Sequence, residues 1–145
     1  MSQPHIEQVD ERDSSWEDGH PRFRVYLHHT GDDPSLLGWA TDTYDITGAD
    51  ILQVIDWAQR QAAGTLVYSI ALVNDDTDRE RLNPGRGRGL VWLVGMDGND
   101  NPWTEEERAT KQRMLARRRE PVRLSAPDLM PPAVPDPYND GTQSR

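Results

Sequence analysis

"TLVYSIALV", residues 65–73, and "GLVWLVGM", residues 89–96, decide how this chain is read. Both runs place apolar residues on either side of an extended backbone. Their β-branched and aromatic content favours strand over helix. Strands that are oily above and below sit inside a sheet and are covered on both faces. Both runs are therefore expected as inner strands.

Upstream, "RFRVYLHH" (22–29) alternates: Phe23, Val25 and Leu27 point one way, and Arg24, Tyr26 and His28 the other, as on a half-buried strand. The turn-rich "TGDDPSLLG" (30–38) leads to a second strand, "WATDTYD" (39–45). A helix follows. Thr47 and Asp50 have capping-box spacing, and Ile46 and Ile51 fit a hydrophobic staple. Ile51, Val54, Ile55, Ala58 and Ala62 form one apolar stripe, and Gly64 supplies the left-handed stop. A second helix is expected over 105–119, with Thr104 and Glu107 at its start, three glutamates in its first turn and Arg117, Arg118 and Arg119 at its end. Glu107 and Lys111 form an i,i+4 pair. The apolar face of this helix is thin: Ala109, Met114, Leu115 and Ala116.

The element order is ββαββα. Short connections imply two hairpins joined by a crossover helix. The expected fold class is α+β: a four-stranded, largely antiparallel sheet in the order 2-1-3-4, with the crossover helix on one face and a second, charged helix. Val67, Ala71 and Val73, with Val91 and Leu93, suggest an apolar second face. Either the second helix and the tail cover that face, or a partner or second copy does.

Composition sets the frame. Residues 1–21 carry six acids against Arg12 and are expected as an acidic disordered arm. Residues 120–145 hold six of the eleven prolines and are expected as an extended, mobile tail. A single domain is left over 22–119. The net charge of -9 disfavours general nucleic-acid binding. The absence of cysteine excludes disulfides, thiol catalysis and cysteine-held metals. No apolar run is long enough for a membrane span, and the first twenty residues lack a secretory pattern, so a cytoplasmic protein is expected. Fifteen arginines against the single Lys111 point to a GC-rich bacterial or phage genome.

The candidate chemistry is sparse. "LNPGRGRGLVWLVG" (82–95) resembles a phosphate cradle, but its glycines precede a strand, and a cradle needs a helix there. It reads as a turn. The whole connection, residues 74–88, is long for a hairpin, and Arg86 and Arg88 within it are candidates to grip an anion. "HHTGDD" (28–33) gathers metal-ligand types, yet adjacent strand residues His28 and His29 face opposite ways. "DDTD" (75–78) and "DGNDN" (97–101) lack the full calcium-loop spacing. No Gly-x-Ser-x-Gly is present, and Ser69 falls in mid-strand. No cofactor and no metal are expected.

"KQRMLARRREPVRL" (111–124) carries six basic residues and one acid, which makes Arg113, Arg117, Arg118, Arg119 and Arg123 candidates for a nucleic-acid contact. The acidic arm is available to neutralise them. Trp57 lies off the apolar stripe beside Arg60, and two placements are open to it: partly exposed, as interaction hot spots are, or packed against a neighbouring arm. "PPAVP" (131–135) fits a minimal proline-ligand pattern. The leading expectation is a non-catalytic protein-binding or regulatory module, with a protein partner or a homodimer. Its candidate binding residues are Trp57, Arg60, Arg86, Arg88, Arg117 and Arg118. The alternatives are a nucleic-acid-associated protein using 111–124 and a small enzyme built around 28–33.

Overall fold

A computed structural model describes residues 3–30, 40–100 and 102–135. Strands β1 (Phe23–His29), β2 (Ala40–Ile46), β3 (Val67–Asp75) and β4 (Arg88–Val94) form one sheet in the order β2-β1-β3-β4, with every pairing antiparallel. Helix α1 (Ile51–Ala62) crosses between the two hairpins, α2 (Thr77–Leu82) lies between β3 and β4, and α3 (Glu105–Ala116) follows β4. The fold is α+β with the expected strand order. Apart from a 3-10 turn at Glu11–Asp13, residues 3–22 carry no regular structure, and residues 3–20 are exposed.

Alternation along β1 builds the core. Phe23, Val25 and Leu27 pair with Leu72, Ile70 and Tyr68 of β3, so all six share the face that meets Val54, Trp57, Ala58 and Ala62 of α1. The apolar stripe of α1 is seated as its spacing predicts. Its start differs. The N-cap is Asp50, whose side chain accepts from the Gln53 amide while the Gln53 side chain returns the bond to Asp50 N. The backbone turns at Gly48 (φ 77°), so helical dihedrals begin only at Ile51, too late for Thr47 to cap. At the other end the chain enters the left-handed region at Ala63, one residue before Gly64.

Two further expectations are corrected. The connection 74–88 contains a short helix, α2, capped by Asp76, whose carboxylate accepts from the Asp78 and Arg79 amides. Polar residues on every side of so short a segment leave no apolar period to detect. The second correction concerns β4, which is an edge strand, not an inner one. Val91 is 50% exposed and Leu93 45%. Ile70 pairs with Val94 while Ala71 pairs with Trp92, so Leu93 is the extra residue of a β-bulge. Val91 pairs with Leu72 and so belongs to the α1 face, not the second face.

The second face has its own lid. Met114 of α3 is buried against Val67, and the Gly95 backbone approaches so closely that a Cβ there would sit 3.1 Å from the Met114 side chain and from Ser69 Cβ. Ala71 is fully buried. Beyond α3, Tyr26 leans on Trp92 with ring centroids 5.1 Å apart, and Asp45 binds both Arg22 and Arg24. The broad oily surface expected there is therefore closed by one well-placed methionine, an aromatic pair and an ion-pair cluster.

The described part of the tail does not drift away from the domain. It lies along α1, with a 3-10 turn at Ala126–Asp128, Met130 buried in the main core and Val134 packed against it.

Candidate functional site

Beneath α3 lies a buried polar cluster. The alternation of β1 turns His28 away from α1 and inward on the second face. Its Nε2 is 3.0 Å from Ser69 Oγ and its Nδ1 is 3.2 Å from Thr41 Oγ1, which also accepts from Asn99 at 3.3 Å. Nearby, the buried Lys111 ammonium donates to Gly98 O at 3.2 Å. Burial pushes the His28 imidazole down to about 4, opposed by Asp97 and helped by Lys111 and His29. Burial also lowers the Lys111 ammonium, while Asp97 raises it. A serine nucleophile needs an oxygen that a substrate can reach, and Ser69 and His28 are both 0% exposed. The cluster ties β2, β1, β3 and the 95–99 turn together.

His29 faces the opposite way and binds Asp42 across the strand pair at 3.0 Å. The proposed grouping of His28 with His29 is thus split between two faces of the sheet; Asp32 and Asp33 lie outside the described residues. Among the described residues no group of three or more His, Asp or Glu side chains is placed to hold a metal ion.

The arginine candidates fall in separate places. Arg60 pairs with Asp56 one turn back on α1, at 3.2 Å. Arg86 and Arg88 line a shallow hollow of about 210 Å³ with Asp76 and Arg79, and Arg88 is already held by two bonds to Asp75. Arg117 and Arg118 line a cavity of about 150 Å³ at the far end of α1, and Arg118 Nε donates to Leu115 O. Within the basic stretch, Lys111 is buried and Arg113 pairs with Glu120. Arg12 of the acidic arm pairs with Asp10, also of the arm.

Trp57 takes the packed placement of the two open to it. It is 4% exposed, because the tail lies over it. Its indole N–H donates to Pro135 O at 2.9 Å, and Tyr44 meets its ring edge-on at 5.5 Å. Its neighbours on α1, Asp56 and Gln59, also grip the tail backbone, and neither was singled out from the sequence. Their polar side chains beside an apolar stripe looked like ordinary solvated positions. The other surface missed in the sequence is the outer side of β4, hidden because its residues resemble those of an inner strand.

Comparison with known proteins returned no match among family models, curated proteins or solved structures. No helix among the described residues is long and apolar enough to cross a membrane.

Proposed function

We propose that the chain is a non-catalytic protein-binding module that accepts a further strand at β4, and that this strand is the β4 of a second copy. The observation that carries the reading is the asymmetry of the two sheet edges. β2 exposes Asp42, Thr43 and Asp45, the polar guard that natural edges carry against pairing. β4 runs Gly-Leu-Val-Trp-Leu-Val from 89 to 94 without a charge, and among the described residues no strand lies beside its outer backbone groups. Two such edges meet without like-charge contact even though the chain carries a net charge of -9. The bulge at Leu93 bends the ladder and confines straight, charge-free pairing to residues 89–92. A cytoplasmic setting in a GC-rich bacterial or phage cell belongs to the same proposal, on composition alone.

Light scattering across a concentration series tests it. The wild-type chain should pass from monomer to dimer, and Val91→Lys should stay monomeric with an unchanged far-UV spectrum. A wild-type chain that remains monomeric at the highest concentration overturns the reading. So does a dimer that Val91→Lys leaves intact.

A further inference from the structure

We propose that α1 carries a recognition groove for a proline-rich segment, and that residues 121–135 occupy it as a built-in ligand. The partner that fits is a protein bearing such a segment, with a long apolar side chain just before a Pro-Pro pair and a valine four positions after that side chain. The groove shares no residue with the β4 edge.

Three side chains within about one turn of α1 hold the occupant, each by its backbone. Gln59 treats Val122 as a neighbouring strand would: its amide nitrogen donates to Val122 O at 3.1 Å, and its amide oxygen accepts from Val122 N at 2.6 Å. Asp56 Oδ2 accepts from Met130 N at 2.8 Å, and Trp57 Nε1 donates to Pro135 O at 2.9 Å. Bonds made only to backbone groups tolerate many sequences, provided the chain keeps the same path. That path is extended at Ser125 and Leu129 (φ -83°, ψ 162° and φ -80°, ψ 151°), with a 3-10 turn at Ala126–Asp128 between them and a second turn in which Val134 N donates to Pro131 O at 3.1 Å. Prolines 127, 131, 132 and 135 fix φ along it, so the chain loses less entropy when it binds.

Selectivity comes from two side chains. Met130 is buried in the core cluster with Trp57 and Val54, and Val134 packs on the same cluster. An aromatic floor with an indole N–H aimed at a ligand carbonyl is how grooves for proline-rich peptides combine an apolar surface with one directional bond. Here Trp57, braced edge-on by Tyr44, supplies both. Covalent attachment gives the tail an effective concentration in the millimolar range, so an outside segment must bind better or arrive when the tail is withdrawn.

The test uses the folded full chain with a site-specific protease sequence inserted between Arg123 and Leu124, where Arg123 is exposed. After cleavage, the released segment should remain with the body on size exclusion at micromolar concentration. It should be displaced by a labelled synthetic peptide spanning 124–135, with the label co-eluting with the body and tryptophan emission unchanged because the peptide covers Trp57 in its turn. The uncut chain should bind the labelled peptide about tenfold more weakly than the cut body, and Met130→Ser in the peptide should cost a similar factor. Three results overturn the proposal. The segment could separate as soon as it is cut while the body keeps its spectrum. The Met130→Ser peptide could compete as well as the parent. The body could lose its near-UV spectrum when the segment leaves, which makes the segment part of the core and not a ligand.

Discussion

Nε2 of His28 lies 3.0 Å from Oγ of Ser69, with both side chains fully buried on the sheet face that α3 covers. The folded protein holds this imidazole neutral, with its pKa pushed down from 6.5 to about 4. Above pH 6.5 neither the folded nor the unfolded chain carries the charge. Between 6.5 and 4 the unfolded chain binds a proton that the folded chain refuses, so stability falls as pH falls and the loss levels off below 4. Across that window the loss is on the order of 3 kcal/mol. Urea denaturation at pH 7, 5.5 and 4.5 should show the slope, and His28→Asn should flatten it. Asp45, held near 2 by Arg24 and Arg22, contributes its own loss only at lower pH, between 3.8 and about 2.

Gly87 is required by close approach. A Cβ at this position would fall 2.5 Å from Glu80 Cβ and 2.8 Å from the Asp76 carbonyl oxygen. Relief would have to move the α2 backbone, so Gly87→Ala should destabilise by about 1–3 kcal/mol. Gly19→Ala meets nothing within 4 Å and should be neutral. Chemical denaturation of the two variants side by side makes the comparison.

Met114 is the main apolar anchor of α3 on the sheet. Met114→Ala should cost about 2–5 kcal/mol if the helix cannot settle further. It should also open the second face around Val67 and Ser69. Faster amide exchange along α3, with β1 and β3 still protected, is the expected signature. Uniform loss of protection would mean that α3 and the sheet unfold as one unit.

The start of α1 separates two capping residues. Asp50→Ala should lose about 1 kcal/mol, because Asp50 accepts from the Gln53 amide. Thr47→Ala should change little. Thermal unfolding of both variants decides the register, and the reverse order would place the cap at Thr47.

Much of this fold was legible in the chain. The two-residue alternation of Phe23, Val25 and Leu27 and the helical stripe from Ile51 to Ala62 are local periods, and burial follows a period wherever one face meets a core. The capping residue was displaced because spacing alone does not reveal where Gly48 bends the backbone. The composition of β4 does not separate an inner strand from an edge one, because Leu90, Val91, Trp92 and Leu93 are apolar whether or not a strand lies beyond them. Of the candidate site, the arginines were visible as residues, but their partners Asp75, Asp56 and Glu120 were not.

Composition and period determined the four strands, helices α1 and α3, the order of these six elements and the α1 core, since each depends on neighbours a few residues apart. Tertiary structure alone decided that Met114 closes the second face and that His28 sits dry beside Ser69. It also decided that Trp57 lies under a chain segment more than seventy residues away in sequence. Proline content predicts an extended tail but cannot say what the tail rests on. That depends on which surfaces are left apolar once the sheet has formed, and such surfaces exist only in the folded molecule.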